Sequence, residues 1–456
     1  MKNLTPANIA AACGGKFHGD KSVLNTEVTA VTTDSRNITA GCLFVPIAGT
    51  RVDGHDFIPQ VMEAGALVTL TERAESAAGC GSYIVVESTR DAIQKIAGFY
   101  RRQLGIPVVG ITGSVGKTST KEAIAAVLSQ KYRVLKTAGN FNNNLGLPLT
   151  IFRLTEEDEI AVLEMGINHF GEMTDLADTA EPDTMVITNI GTCHLEFLGD
   201  RDGVFKAKTE CFDYVKLTGE VILNGDDDKL IQVKEVHGKR PIFYGMNPGF
   251  RVYGYDVRPE GITGTTCMIS VDDEDFEVHV PVPGAHMVQN ALAAAAVGSL
   301  YGLTPEEIQR GIESIETIGG RLNIVEGAKC TVIDDCYNAN PMSMKASLGV
   351  LANAGGRRVA VLGDMGELGK TEKELHREVG RAAGELNLDL YLLAGELSRE
   401  IEAGIRETNP DADVQWFADA DAAAAALPEL IRKGDTVLVK ASHFMEFTKI
   451  VEALKA

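Results

Sequence analysis

Short apolar runs that end in glycine or a polar residue recur through the middle and the last part of the chain. In the middle they are PVVGIT, IAVLEMG, TMVITNIG and EVILNG, and near the end CTVIDD, RRVAVLGD, LDLYLLAG and DTVLVKAS. Helical patterns such as TEKELHREVGRAAGEL separate them. Near-continuous apolar strands are typical of parallel sheets covered by helices on both faces. The pattern therefore predicts two doubly wound α/β domains.

The segments before and between these runs have other patterns of apolar and polar residues. The first 87 residues contain brief strand-like stretches, TAVTTDSR and CLFVPIAG, among many turn residues, and a helix capped by Ser88 or Thr89 leads to Pro107. Residues 250–282 alternate polar and apolar side chains, and HMVQNALAAAAVGSLYGL predicts a buried helix. Because 456 residues exceed one ordinary domain, we predict three α/β domains, at 1–87, 88–315 and 316–456.

Composition excludes several classes of function. The formal net charge of −21 argues against broad electrostatic binding to nucleic acid or anionic lipid, although a local pocket for an anion remains compatible with it. The eight cysteines form no C-x-x-C pair, which favours free thiols in a reducing compartment. The sequence shows neither a secretory signal pattern nor an apolar run of membrane-spanning length. We expect a cytoplasmic monomer that neither binds nucleic acid nor inserts into a membrane.

A glycine-rich stretch, VVGITGSVGKTSTKE, lies between the first central strand and a helical pattern. Gly113 and Gly116 would let backbone N–H groups converge on phosphate oxygens, Lys117 would reach the β- and γ-phosphates, and Thr118 could bind Mg²⁺. A full Walker motif would have glycine where Ile111 stands. The alternative is an ordinary left-handed turn before a helix. The strand–loop–helix context favours phosphate binding and leaves kinase, GTPase, motor and ligase open.

Two polar residues follow later strands of the same predicted sheet. Glu164 ends IAVLEMG and His194 follows VITNIG, and ligands of open parallel sheets gather at such strand ends. With Thr118 they would provide a suitable environment for Mg²⁺, which takes few protein ligands. Taken alone, a glutamate at a strand end is more often a solvated cap, and a lone histidine more often has a structural role. Lys208, in FKAKTE, has the pattern of a solvated helix face.

Nine motifs resemble, in order and spacing, those of the Mur ligases. They are TGSVGKTS, GNFNNNLGLPLT, LEMGINHFGEM, TNIGTCHLE, AKTE, HMVQNALAA, GGRLNIV, DDCYNANPMSM and LGDMGELG. TTDSR and FVPIAGTRVDGHDFI resemble the N-terminal uridine-nucleotide domain of two members, so the resemblance covers essentially the whole chain. Within the family, DCYNANP resembles the member that adds D-alanyl-D-alanine. The tripeptide-forming member has DYAHTP-like and DNPR motifs, which do not occur here.

The resemblance implies a fold, a reaction and its partners. It implies an N-terminal uridine-nucleotide-binding α/β domain, a central P-loop ATPase-like parallel sheet and a C-terminal Rossmann-like domain. The reaction would join D-alanyl-D-alanine to UDP-N-acetylmuramoyl tripeptide through an acyl phosphate, giving the pentapeptide precursor of peptidoglycan. ATP and two Mg²⁺ ions would be required.

The resemblance also implies roles for individual residues. The catalytic residues would be Lys117, His194 and Lys208. ATP would contact Gly113, Ser114, Val115, Gly116, Lys117, Thr118, Ser119, Asn144, Asn290, Arg321 and Asp335. Metal would be held by Thr118, Glu164, His194 and Lys208, the last carbamylated by CO₂ into an anionic oxygen ligand. The uridine diphosphate would contact Ser35, Arg36, Thr50, Asp53 and His55, and the dipeptide Tyr337, Asn338 and Asn340.

Two positions depart from the family pattern. Met287 stands where asparagine is frequent, and His443 stands where arginine is usual, so a basic contact to the dipeptide or to phosphate would be pH-dependent or come from another residue. His169 and phosphate oxygens are alternative acceptors for the amine proton. The third residue of the tripeptide is diaminopimelate or lysine. Two further alternatives are a ligase with a different amino acid or acceptor, and a nucleotide-binding partner of cell-wall machinery without catalysis.

Overall fold

The computed structural model describes all 456 residues, and its strands form three separate sheets of five, nine and six strands. The strands lie within residues 16–85, 108–280 and 323–440 respectively. Helices accompany each sheet, so the predicted three-domain α/β architecture is confirmed. The positions of the domain boundaries stay a prediction.

The first sheet has short strands in the order β1-β5-β4-β3-β2. Its elements are α1 (Pro6–Cys13), β1 (Lys16–His18), β2 (Val31–Thr32), β3 (Leu43–Phe44), α2 (Ile58–Glu63), β4 (Val68–Thr71), α3 (Ala74–Ala77) and β5 (Tyr83–Val85). The predicted strand TAVTTDSR is too long. After Thr32 the backbone N–H groups of Asp34 and Arg36 donate to side-chain oxygens of Thr32 and Asp34, and these local bonds replace the ladder.

The second sheet has the order β14-β13-β12-β11-β10-β9-β6-β8-β7. Its strands are β6 (Val108–Thr112), β7 (Val134–Lys136), β8 (Ile160–Glu164), β9 (Thr184–Ile187), β10 (Glu220–Asn224), β11 (Ile242–Gly245), β12 (Val252–Pro259), β13 (Thr265–Val271) and β14 (Glu274–Val280). The strands from β7 to β12 pair in parallel, and β12 to β14 pair antiparallel. The antiparallel part is the stretch whose side chains alternate. The carboxyl ends of β6, β8 and β9 meet at one edge.

The helices of the second domain surround this sheet. They are α4 (Thr89–Leu104), α5 (Lys117–Leu128), α6 (Gly146–Ile151), α7 (Glu172–Ala180), α8 (Leu195–Leu198), α9 (Arg201–Thr209), α10 (Met287–Leu300) and α11 (Pro305–Glu313). Helix α4 begins as predicted, because the Ser88 hydroxyl accepts the backbone N–H of Asp91, and it ends at Gly105 in the left-handed region. The alanine-rich α10 is buried and packs against α5.

The third sheet has the order β15-β16-β20-β17-β18-β19. Its elements are β15 (Asn323–Glu326), β16 (Cys330–Asp334), α12 (Pro341–Ala352), β17 (Arg358–Gly363), α13 (Glu372–Glu385), β18 (Leu390–Ala394), α14 (Ser398–Thr408), β19 (Val414–Phe417), α15 (Ala420–Leu430), β20 (Asp435–Lys440) and α16 (Thr448–Lys455). Only the edge strand β15 is antiparallel. The arrangement matches the predicted Rossmann-like domain.

Two global features bear on the sequence predictions. All eight cysteines are free thiols, as the absence of paired spacing indicated. None of the helices combines the length and the apolar composition that crossing a membrane requires.

Candidate active site

A cavity of about 820 Å³ lies between the second and third domains. From the second domain it is lined by Ser114, Val115, Gly116, Lys117, Thr118, Ser119, Glu164, His194 and Asn290. From the third domain it is lined by Arg321, Asp335, Tyr337, Asn338 and Asn340. The cavity has the size of a site for a small ligand, and it brings together most of the residues that the sequence predicted for ATP, metal and dipeptide.

The glycine-rich loop is held in shape by the residues that follow β9. The Val115 N–H donates to Asn189 Oδ1 at 2.9 Å, and the Thr188 hydroxyl donates to the Val115 carbonyl at 2.6 Å. Gly116 adopts φ 84° and caps α5, and Lys117 Nζ donates to the Gly113 carbonyl at 2.8 Å. The loop is therefore preformed at a helix N-terminus, a favourable position for phosphate.

Gly113 is required by close packing as well as by its φ of +150°. A Cβ atom there would lie 1.9 Å from Thr188 Oγ1. We expect Gly113→Ala to weaken ADP binding about tenfold or more, because strain of about 1–3 kcal/mol would displace the loop. The measurement is calorimetric titration with ADP. Gly105→Ala is the control, since Gly105 also has positive φ but no heavy atom within 4 Å. Unchanged ADP affinity in folded Gly113→Ala would contradict the loop assignment.

Glu164 carries a carboxylate oxygen that no group in the protein satisfies. The residue is 1% exposed, Oε1 accepts a bond from Asn142 Nδ2 at 2.7 Å, and Oε2 is buried without a partner. An unsatisfied buried acceptor is costly, and a cation or its bound water would satisfy it. Thr118, also buried, supplies a hydroxyl to the same cavity.

Lys208 is buried, contrary to the solvated helix face that its neighbours indicated. Its side chain is 0% exposed, and Nζ has no hydrogen-bond partner. Burial lowers the pKa of Lys208 from 10.5 to about 8. The side chain does not line the cavity. An unpaired buried ammonium is costly, which favours the neutral amine.

His194 contacts a residue of the motif LGDMGELG to which the sequence analysis assigned no role. Its Nδ1 lies 2.5 Å from Glu367 Oε2 in the third domain. The chain gathers no group of three or more His, Cys, Asp or Glu side chains that could hold a metal by themselves. The unsatisfied Glu164 oxygen and the Thr118 hydroxyl are oxygen donors of the kind that Mg²⁺ takes, since Mg²⁺ binds few protein ligands and keeps waters.

A buried ion pair forms the third-domain wall of the cavity. Lys440 Nζ donates to Asp335 Oδ2 at 2.6 Å, and the Ser347 hydroxyl donates to the same oxygen at 2.5 Å. The Leu322 N–H donates to Asp335 Oδ1. Both oxygens of Asp335 are thus occupied within the domain. Lys440 was missed, although it ends the apolar run DTVLVK at the carboxyl end of β20.

Family models match nearly the whole chain in three adjoining parts. Residues 27–114 match the model described as Mur ligase family, catalytic domain, residues 111–298 match the Mur ligase middle domain, and residues 320–443 match the Mur ligase glutamate ligase domain. The chain is also 37% identical, over 100% of its length and 99% of the relative, to UDP-N-acetylmuramoyl-tripeptide--D-alanyl-D-alanine ligase of Bacillus subtilis. The chain belongs to the Mur ligase family.

Solved Mur ligase structures agree with this assignment. MurF from Acinetobacter baumannii is 32% identical and superimposes with a TM-score of 0.92, over 99% of this chain and 98% of that one. A MurF ligase from Thermotoga maritima in complex with ADP is 31% identical, with a TM-score of 0.83 over 93% and 97% of the two chains.

The predicted dipeptide residues of this Mur ligase are partly engaged in local structure. The Arg321 guanidinium lies 4.2 Å from the centre of the Tyr337 ring, and the His443 ring is 5.9 Å from it. Asn340 Oδ1 accepts the Ser343 N–H and caps α12 in a capping box. Asn338 lines the cavity, and its carbonyl accepts a bond from Lys440. Asn340 thus caps a helix and lines the cavity, and its contact with the dipeptide stays a prediction.

Of the two asparagines predicted to contact the nucleotide, Asn290 lines the cavity and Asn144 does not, and both contacts stay predictions. Asn144 Nδ2 donates to Asp175 Oδ2 at 3.4 Å, and the residue does not line the cavity. Asn140, Asn142 and Asn143 of the same loop do line it, and Asn142 Nδ2 donates to Glu164 Oε1. Asn290 does line the cavity, and its Oδ1 accepts a bond from the Thr120 hydroxyl at 2.9 Å.

The predicted uridine-nucleotide residues of this Mur ligase lie in the first domain, outside the cavity. Ser35 is half-buried, and Thr50 and Arg36 are exposed. The Arg36 side chain pairs with Asp34. His55 is buried, its Nδ1 lies 2.7 Å from Asp53 Oδ1, and its Nε2 accepts the Glu72 N–H. Both ring nitrogens of His55 are occupied by neighbours within the domain. The roles of all five residues in binding the nucleotide stay a prediction.

The Asp53–His55 contact predicts a pH-dependent stability. Hydrogen bonds from the His55 backbone and ring lower the pKa of Asp53 to about 2. A lowered carboxylate pKa stabilises the fold above the ordinary value of 3.8, and this contribution is lost as pH falls toward 2. We expect Asp53→Asn to lower the free energy of unfolding by up to about 1 kcal/mol at pH 7.

Denaturant unfolding at pH 7 and at pH values below about 4 checks this prediction, and the difference from wild type should shrink at the lower pH. Asp56→Asn is the control, since Asp56 is an exposed neighbouring carboxylate. A difference for Asp53→Asn that stays constant with pH would rule out the charged contact as its cause.

Proposed function

We propose that this Mur ligase uses ATP to join D-alanyl-D-alanine to UDP-N-acetylmuramoyl tripeptide, giving the pentapeptide, ADP and phosphate. The observation that carries the proposal is the full-length similarity to the Bacillus subtilis ligase that is named for this reaction. The preformed phosphate loop and the cavity between two domains provide the matching chemistry. The related MurF in complex with ADP supports adenine nucleotide as the phosphoryl donor.

The reaction needs an activated carboxylate, because oxide is a poor leaving group. One oxygen of the tripeptide carboxylate attacks the γ-phosphorus of ATP, the bond to the β-phosphate oxygen breaks, and ADP leaves. The dipeptide amine then attacks the acyl carbon, the acyl–oxygen bond breaks, and phosphate departs after the amine loses its proton. Lys117 stabilises the charge on the transferring group, since positioning and electrostatics dominate phosphoryl transfer.

We propose that Thr118, Glu164 and His194 hold Mg²⁺, with the unsatisfied Glu164 oxygen as the main supporting observation. Bound Mg²⁺ would neutralise phosphate charge. Lys208 is suited to carbamylation, because a pKa of about 8 leaves part of the amine neutral near physiological pH. The neutral amine attacks CO₂ and releases one proton, which gives an anionic carbamate in place of an unpaired cation.

The two walls of the cavity come from two domains of one chain. The loop with Lys117 belongs to the second domain, and Arg321 and Asp335 belong to the third. Closing these domains around the reactants would exclude water, to which an acyl phosphate is vulnerable. We therefore propose that a monomer is sufficient, and free thiols together with ATP use support a cytoplasmic location.

Isotope transfer tests the activation step. UDP-N-acetylmuramoyl tripeptide labelled with ¹⁸O in its terminal carboxylate is incubated with the protein, ATP and D-alanyl-D-alanine. One ¹⁸O atom should appear in the released phosphate, because the bridging carboxylate oxygen leaves with phosphorus. Pentapeptide formation with unlabelled phosphate would overturn the acyl-phosphate route.

A further inference from the structure

His194 of the second domain and Glu367 of the third face each other across the domain boundary, and both residues have a strained backbone conformation. Their side chains meet at 2.5 Å although the residues are 173 positions apart. His194 has φ 53° and Glu367 has φ 61°. Positive φ is uncommon outside glycine and persists only where surrounding structure enforces it. Both ends of this contact therefore carry strain at the edge of the cavity.

The backbones beside this contact also approach closely. The segment 366–370 of the third domain lies against α8 of the second, and a Cβ atom on Gly369 would lie 3.2 Å from the Glu196 Cα. Gly369 has φ +63°, and the neighbouring Leu368 is buried. The contact is thus part of a docked interface and not an isolated surface pair.

The pairing determines which imidazole nitrogen is free. His194 Nδ1 lies 2.5 Å from Glu367 Oε2, within hydrogen-bond distance of a carboxylate oxygen. An ionised carboxylate can only accept. The proton of the ring therefore sits on Nδ1, and Nε2 is left as the nitrogen that can bind a cation. Carboxylates hold metal-binding histidines in this way.

We propose that Glu367 is a positioning residue for His194, and that docking of the third domain completes the metal site by fixing the imidazole tautomer and orientation. The inference rests on the proposed role of His194 as a metal ligand. It assigns to the third domain a function besides contact with reactants: metal affinity depends on whether that domain is docked.

The first test measures Mn²⁺ binding to the full-length protein with ADP, from the loss of the free Mn²⁺ signal in electron paramagnetic resonance. Glu367→Ala should weaken Mn²⁺ binding about 10- to 100-fold, and Glu367→Gln should restore part of the affinity, since its amide oxygen still accepts from Nδ1. His194→Ala should weaken binding at least as much, and the double variant no further. Glu196→Ala is the matched control, an exposed carboxylate on the same interface.

The second test reads the tautomer without metal. In ¹⁵N-histidine nuclear magnetic resonance spectra, the signal absent from His194→Ala identifies this ring. Wild type should show a protonated Nδ1, Glu367→Gln should keep that tautomer, and Glu367→Ala should show a mixture. A correctly folded Glu367→Ala with the wild-type tautomer would overturn the inference.

The outcomes separate the two proposals. If His194→Ala weakens Mn²⁺ binding and Glu367→Ala does not, the positioning role is wrong while the metal ligand stands. If neither weakens it, His194 is not a ligand and the inference falls with that assignment. Absence of pentapeptide synthesis by wild type would reject the proposed reaction, whereas the Mn²⁺ and tautomer results would still decide the role of Glu367.

Discussion

Lys117→Ala is expected to reduce pentapeptide synthesis about 10²- to 10³-fold, the scale on which a single charge-stabilising group contributes to a transition state. In the free protein Lys117 Nζ donates to the Gly113 carbonyl, so the ammonium is held within the loop that would receive phosphate. Its charge is needed most as the γ-phosphoryl group is transferred. The loss should therefore fall mainly on kcat.

Steady-state kinetics of purified Lys117→Ala and of Lys131→Ala check this prediction. Lys131 is a lysine beyond the end of α5 that bonds to the Gly302 carbonyl at the surface, and its removal should change the rate little. Circular dichroism confirms that both variants fold. Turnover of Lys117→Ala within tenfold of wild type would exclude a role in phosphoryl transfer.

Lys208→Met is expected to abolish measurable synthesis while making the protein more stable. The ammonium is fully buried without a partner, and replacing an unsatisfied buried polar group with an apolar side chain of similar length removes a penalty of about 1–3 kcal/mol. A variant that loses activity and gains stability identifies a residue kept for function. A structural lysine would show the opposite change in stability.

Chemical unfolding and the rate of synthesis are measured for wild type and for Lys208→Met, in CO₂-depleted buffer and after adding bicarbonate. Wild type should gain activity with bicarbonate, and Lys208→Met should be inactive in both. Lys216→Met is the control, since Lys216 pairs with Asp183 at a partly exposed site away from the cavity. If wild type has equal rates in the two buffers and its intact mass shows no carbamate, the carbamylation of Lys208 is ruled out.

The shared location of the candidate phosphate and metal residues could be predicted because it depends on local patterns. Glu164 and His194 follow parallel strands of one sheet, and strand ends at one edge converge whatever the connections between them. The loop around Lys117 lies directly between a strand and a helix, so its position at the helix N-terminus follows from adjacent sequence. These residues do line one cavity.

Contacts between distant segments could not be predicted. The Asp335–Lys440 pair joins residues 105 positions apart, and the partner of His194 lies in another domain. Lys208 looked solvated because its sequence neighbours are polar, but burial depends on the packing of its helix against other elements. The family resemblance, not the local pattern, indicated that Lys208 belongs to the site.

Two of the predicted site residues also have local structural roles that the sequence signals. Asn340 precedes proline and stands three residues before Ser343, which is a helix-capping pattern that the structure displays. His55 follows Asp53 by two residues, and that spacing lets the carboxylate bond both the ring and the backbone of His55. Side chains satisfied by their own neighbours are weaker candidates for ligand contacts.

The most direct measurement is phosphate release from ATP by the purified protein with UDP-N-acetylmuramoyl tripeptide and D-alanyl-D-alanine, with each component omitted in turn and the product mass determined. The account predicts release only when all are present, together with a pentapeptide mass, for a diaminopimelate- or a lysine-containing tripeptide. Release without the dipeptide, or no release with either tripeptide, would contradict the proposed reaction.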